Sequence, residues 1–184
     1  MNKANRSQFA ILGLLMDQPL TGYDIKKITQ ESTDFFWQES FGHLYPTLNK
    51  MVTEGLITKQ SEETDGARKR ILYSITPTGK AAFQEWLLEP IKKQSIRNEL
   101  LLKIFFGEHL PINYSIEHIE TCLRENQQRL LFFQKLSTKL QNNPSCSEYK
   151  QLTLAYGKQM AAAHIQWCKR ALEVLQQEES VVEA

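Results

Sequence analysis

The sequence predicts a mainly α-helical chain with one small β-hairpin: three helices, the hairpin and a fourth helix within residues 1–89, then an all-α antiparallel part over residues 90–184. Three observations predict it. Apolar residues recur at three- and four-residue spacing in both halves, as at Leu44, Leu48, Met51 and Val52 and again at Leu123, Leu130 and Phe133. The period changes to two over Arg70 to Thr76, where Ile71, Tyr73 and Ile75 alternate with Leu72 and Ser74. Turn-forming residues separate these stretches, at Asp17-Gln18-Pro19, Asp65-Gly66, Glu89-Pro90 and Asn142 to Ser145.

Taken in order, Ser7 to Met16 is a short apolar helix with Ser7 as its N-cap. Pro19 ends it, because proline disfavours helix at the residue before it. Thr21 opens a second helix, with Tyr23, Ile25 and Ile28 on one side and Asp24, Lys26 and Lys27 on the other. An aromatic cluster, Phe35, Phe36 and Trp37, follows. A third helix runs from about Ser40 to Glu54, and Gly55 stops it. Leu56 to Lys59 and Arg70 to Thr76 are the strands of a hairpin with a charged tip. Thr76 or Thr78 caps a fourth helix through Leu88, whose inward residues are Ala82, Phe83, Trp86 and Leu87.

Beyond a hinge at Glu89-Pro90, Ser95 to Gly107 is one helix and Ile112 to Leu140 another. Tyr149 to Gln176 is a third, with Leu152, Tyr156, Met160, Ala163, Trp167, Ala171 and Val174 on one stripe. A short turn joins the two long helices, so they lie antiparallel. Two helices and a short partner cannot cover such wide apolar stripes. Either they pack back on the N-terminal part or they form a symmetric dimer interface, and the width favours the dimer, through Leu123, Leu130, Tyr156, Met160 and Trp167.

Composition bounds the function. The chain has 184 residues, 41% hydrophobic and 23% charged, with a net charge of +1. That is ordinary for a globular protein with a real core. The apolar run Phe9 to Met16 is interrupted by Gly13, falls short of the roughly 20 residues of a membrane span, and lacks a cleavage site after it. The expectation is a cytoplasmic protein with no membrane partner. Three cysteines, an odd number, do not make a disulfide framework and fit a reducing compartment. There is no glycine-rich phosphate loop, nucleophile elbow or HExxH motif, and the Glu62-Glu63 pair falls on the hairpin tip, so neither an enzyme nor a cofactor is expected. His118 and Cys122, and His164 and Cys168, are each four apart beside the apolar stripes. They are the right residue types for a tetrahedral zinc site, but the sequence reading takes them as ordinary helix residues.

Three helices, a hairpin and a further helix is the order of a winged helix-turn-helix. Such a fold offers a helix to the major groove and a hairpin tip to the flanking phosphates. In the third helix Ser40, His43, Tyr45, Thr47, Asn49 and Lys50 lie outside the apolar stripe and are the groups that can reach bases or phosphates. Arg68, Lys69 and Arg70 form a cationic run on the wing, for which phosphates are the natural partner. Residues 1–88 carry ten Lys/Arg and ten Asp/Glu, so the DNA surface must be a local patch. That neutrality also keeps open a winged-helix module that binds protein instead. Trp37, Trp86 and Phe106 stand among the aromatics near the junction of the two parts, and form either core or a site for a small aromatic effector.

The stretch AILGLLMDQPLTGYDIKKI from Ala10, GHLYPTLNKMVTEGLI from Gly42 and RKRILYSITPTGKAAFQEWL from Arg68 resembles the PadR family of bacterial transcriptional regulators. The shared features are Gly22-Tyr23 opening the second helix, Leu44-Tyr45-Pro46-Thr47-Leu48, Glu54-Gly55-Leu56-Ile57, and Tyr73 to Gly79. Tyr23 joins the DNA-binding set on this basis. The C-terminal half, with NELLLKIFFG from Asn98 and two long helices, is similar in organisation to the longer PadR subfamily. The resemblance implies a homodimeric repressor on double-stranded operator DNA, relieved by a ligand or stress signal. PadR-like proteins often control phenolic acid detoxification or multidrug efflux genes.

Overall fold

Leu12, Ile25, Leu48, Met51 and Ile57 are almost wholly buried and mark the centre of the first of two units, Met1–Lys93. The computed structural model describes residues 7–33, 36–37, 43–62, 70–92, 97–141 and 147–182. In the first unit, helix α1 is Ser7–Leu15, α2 is Gly22–Ser32, α3 is Leu44–Thr53 and α4 is Pro77–Leu88. Strands β1 (Leu20–Thr21), β2 (Ile57–Glu62) and β3 (Arg70–Ile75) form an antiparallel sheet in the order β1-β3-β2. Leu20 pairs with Tyr73, and the hairpin register runs from Ile57 opposite Ile75 to Glu62 opposite Arg70.

The local chemistry explains the boundaries. The Thr21 side chain accepts a hydrogen bond from the Asp24 N–H at 3.1 Å, and the Asp24 carboxylate accepts one from the Thr21 N–H at 3.2 Å. This reciprocal capping box satisfies two donors that the start of α2 leaves unpaired. Gly55, between α3 and β2, has φ +70°, a backbone conformation that a side chain disfavours. Thr76 caps α4 by accepting from the Gly79 N–H at 3.0 Å, and its hydroxyl also lies 2.7 Å from the Gly55 carbonyl oxygen. Pro77 follows at the first helical position, where its missing N–H costs nothing. Helices α1 and α4 meet through Phe9 and Trp86, stacked with ring centroids 4.7 Å apart and planes 5° from parallel.

The second unit is Gln94–Ala184. Helix α5 is Glu99–Phe105, a 3-10 turn covers Gly107–His109, and the long helices are α6 (Ile112–Gln141) and α7 (Glu148–Val182). His164 of α7 meets Asn126 of α6, and Cys168 meets Cys122, so the pair runs antiparallel. Its inner seam holds Ile119, Asn126 and Phe133 from α6 with Leu154, Ala161 and Cys168 from α7. The protein is thus mainly helical with one small three-stranded antiparallel sheet.

Several expectations are corrected. Ser7 begins α1 rather than capping it. Helix α5 starts at Glu99 instead of Ser95, because Asn98 turns its side chain to the Leu101 N–H at 3.0 Å and acts as the cap. Leu87, expected inward, is exposed. Leu152, Tyr156, Met160 and Val174, on the stripe assigned to a dimer interface, are exposed, and α7 turns a different stripe toward α6. His164 and Cys122 are half-buried and Cys168 fully buried, on the seam instead of beside it, while His118 is exposed. The antiparallel direction brings Cys168 to Cys122 but sets His164 against Asn126, so the two His-Cys pairs meet through their cysteines alone. Among the described residues no three His, Cys, Asp or Glu side chains are grouped to hold a metal ion. Nor is any helix among them long and apolar enough to cross a membrane.

Candidate nucleic-acid interface

Helix α3 is held by one face and offers the other. Leu44, Leu48 and Met51 are buried at three- and four-residue spacing and seat it on α1, the sheet and α2. Tyr45 and Asn49, four apart and so on one side, are exposed; Thr47 is half-buried. Lys50 is exposed and lies 3.6 Å from Glu54 one turn on, a solvent-screened pair that ties its charge only weakly. His43, just ahead of the helix, is exposed and its side chain makes no capping hydrogen bond. Ser40 lies outside the described residues, as do Arg68 and Lys69 of the wing.

Tyr45 links this helix to the start of α2. A Cβ placed on Gly22 would stand 2.8 Å from Tyr45 Cε1, so the ring rests directly against the glycine. Tyr23, the next residue, is 69% exposed. Tyr73 is buried in β3, and burial, with the nearby Tyr45 phenol, raises its pKa above the usual tyrosine value. Arg70, the first residue of β3, is exposed. It is close enough to Asp24 to help lower that carboxyl's pKa, behind the larger effect of the Thr21 hydroxyl at 2.6 Å. Tyr23, Tyr45 and Arg70 therefore gather around the α2 N-terminus, whose unpaired N–H groups and helix dipole favour anions.

Sequence reasoning missed β1, Gly22 as the seat of Tyr45, and Asp24 as the reciprocal capping partner of Thr21. The Thr-x-x-Asp spacing of the capping box was a readable signal for the last of these. Two strand residues were too few to show alternation. Of the aromatics considered for an effector, Trp86 is stacked on Phe9, Trp37 is half-buried with its backbone N–H donating to the Thr33 carbonyl at 2.8 Å, and Phe106 is exposed, edge-on to Phe105. Of the residues expected at a dimer interface, Leu123, Leu130 and Trp167 are half-buried and Tyr156 and Met160 exposed.

A three-helix core with a packed recognition helix, a hairpin and a capped fourth helix defines a winged helix-turn-helix, here followed by a helical C-terminal unit. Residues 11–85 match the family model of the Transcriptional regulator PadR-like family, and residues 96–176 match that of the Virulence activator alpha C-term. The chain thus carries a domain of the PadR-like family of transcriptional regulators followed by a helical C-terminal domain. It is 27% identical over 178 residues to the Negative transcriptional regulator PadR of Bacillus subtilis, covering 91% of this chain and 96% of that protein. The crystal structure of B. subtilis PadR in complex with operator DNA superposes with a TM-score of 0.80 at 25% identity, covering 91% of this chain and 98% of that one. The same protein with p-coumaric acid gives 0.72 at 24% identity, covering 96% and 98%, a likeness that bears on the fold alone. The Vibrio cholerae virulence activator AphA gives 0.73 at 26% identity, covering 93% and 98%.

Proposed function

We propose that the chain is a repressor that binds a roughly palindromic operator as a homodimer, with residues 1–89 reading DNA and residues 90–184 joining two copies. The observation that carries this reading is the exposed surface of α3 and the α2 start, where Tyr45, Asn49, Tyr23 and Arg70 stand clear of the core that holds their helices. Helix α3 enters the major groove. Asn49 is suited to a bidentate contact with adenine, and Ser40, His43, Tyr45 and Thr47 to base edges or phosphates. Tyr23 and Lys50 add backbone contacts, and Arg68, Lys69 and Arg70 grip the flanking phosphates. In a two-fold dimer the two copies of α3 meet successive grooves about 34 Å apart. The name of the B. subtilis relative, a negative regulator, supports repression, and its complex with operator DNA supports the binding mode.

A small aromatic effector that favours a different angle between the two readers would release the DNA by population shift. B. subtilis PadR has been solved with p-coumaric acid, and Trp37, Trp86 or Phe106 is the aromatic proposed to meet such a ligand here. Tryptophan emission should change with a phenolic compound that binds; unchanged emission across phenolic and cationic panels counts against the site. The site of action is the cytoplasm, with the chromosome.

The test is an electrophoretic shift with DNA from upstream of the chain's own gene beside a scrambled duplex of equal length. Selective binding that weakens by about 10³ or more between 50 and 200 mM salt is expected of several phosphate contacts. Equal, weak binding to both duplexes favours the protein-binding alternative, which the charge balance of residues 1–88 makes reasonable.

A further inference from the structure

We infer that Gly22 sets the position of Tyr45 for DNA recognition, by leaving the start of α2 bare so that the ring can lie across it. The inference rests on the reading of Tyr45 as a DNA-contacting residue and adds what holds that residue in place.

Tyr45 is the second residue of α3 and is 59% exposed, so burial in the core does not fix its ring. Gly22 does. The three atoms nearest a Cβ built on Gly22 all belong to Tyr45: Cε1 at 2.8 Å, Cζ at 3.3 Å and Oη at 3.3 Å. The hydroxyl end of the ring therefore rests on the glycine, and Gly22 is buried beneath it. The Tyr45 phenol also lies near enough to Tyr73 to add to the effect of burial in raising that group's pKa. Tyr73 pairs with Leu20, two residues before Gly22. The ring thus sits where α2, α3 and the sheet converge, next to exposed Tyr23 and with Arg70 near Asp24.

Any side chain at residue 22 competes for that space, and the physics decides what yields. Among the described residues the positive-φ glycine is Gly55, so the backbone at Gly22 is one that alanine adopts without strain. Alanine also favours helix over glycine. The obstacle is the far end of an exposed side chain, which can turn into solvent, and not a backbone atom. Gly22→Ala therefore leaves the fold intact and displaces Tyr45. A glycine with a merely structural role would show the opposite, lost stability with DNA contacts unchanged.

The experiment uses the full chain and a duplex that the wild type selects from a random-sequence library, with Gly22→Ala, Tyr45→Ala and the double variant. Thermal unfolding and fluorescence anisotropy are measured for each. Gly22→Ala should unfold at or above the wild-type temperature and bind the duplex about tenfold more weakly or worse, the scale of a lost base contact. The double variant should bind no more weakly than Tyr45→Ala alone, because Gly22 acts through the tyrosine. Wild-type affinity in Gly22→Ala or in Tyr45→Ala overturns the inference. So does a double variant whose losses multiply, which would mean that Gly22 acts independently. A wild type that selects no sequence overturns the DNA-binding reading itself, a failure distinct from these.

Discussion

Asp24 puts a negative charge on a surface proposed to meet phosphates, and its surroundings show why that is tolerated. The carboxylate accepts from the Thr21 hydroxyl at 2.6 Å and the Thr21 N–H at 3.2 Å, and it stands at the N-terminus of α2 near Arg70 and Lys27. These contacts hold its pKa below the ordinary 3.8, against a smaller opposing effect of burial. Its carboxylate is thus held charged at neutral pH by Thr21 above all, with the cations Arg70 and Lys27 nearby to offset it against phosphates. A depressed carboxyl pKa stabilises the fold fully above 3.8, and the contribution is lost as pH falls below 3.8 through the folded-state value. In urea titrations the stability gap between wild type and Asp24→Asn should therefore be constant near neutrality and shrink below pH 3.8. A gap that widens in acid would reverse the assignment. Thr21→Ala removes the cap as well and should cost about 1 kcal/mol at pH 7.

At the level of elements, one joint holds the wing to the fourth helix. The Thr76 hydroxyl lies 2.7 and 3.0 Å from the Gly55 and Leu56 carbonyl oxygens, and the same oxygen caps α4. Gly79 sits so close that a Cβ there would run into the Leu56 carbonyl oxygen and meet Ile75. Unlike the ring over Gly22, a backbone carbonyl fixed by this joint cannot turn away. Gly79→Ala should therefore destabilise by about 1–3 kcal/mol or more, as overpacking does, and show it as a lower unfolding midpoint. A midpoint at the wild-type value would mean that the joint is loose.

These elements were unequally legible in the sequence. Helices α1 to α4 and the hairpin could be read because burial on one face imposes a period, and Gly55 and Thr76 mark real ends. Helix α7 carries two stripes, and only the outer one was legible in the sequence. Large residues, Leu152, Tyr156 and Met160, dominate a hydrophobicity count, yet the seam against α6 uses Leu154 with Gly157, Ala161 and Cys168, three small residues that let the helices approach. That seam also buries Asn126, whose amide donates to the Cys122 carbonyl at 2.8 Å and whose oxygen lies 3.3 Å from His164 Nδ1. Cys168 is pushed up to about 12, mainly by burial and then by the Cys122 thiol, so it stays a neutral thiol in the seam at physiological pH. A polar link in an apolar seam fixes register. Asn126→Ala leaves His164 without this partner and should lower the stability of the helical unit by about 1–3 kcal/mol, measured by loss of helical ellipticity in urea.

For the whole molecule, the two stripes of α7 argue for a second copy of the chain. Its inner stripe is satisfied by α6, while Leu152, Tyr156, Met160 and Val174 remain exposed along a line of about 33 Å at 1.5 Å per residue. Apolar rows of that length mark interaction surfaces. A self-complementary pairing of two such rows closes with two-fold symmetry, which is the symmetry a palindromic operator demands. Replacing Tyr156 and Met160 together by glutamate puts like charges across that axis. Both side chains are exposed in the single chain, so helical content should not change. Sedimentation should then shift from twice 21.4 kDa to 21.4 kDa. Operator affinity should fall about a hundredfold, because the second half-site no longer binds at high effective concentration. If the double glutamate variant still sediments as a dimer, the outer stripe of α7 is not the interface. If it becomes a monomer and keeps wild-type affinity, each winged helix reads its site alone and the two-fold operator is wrong.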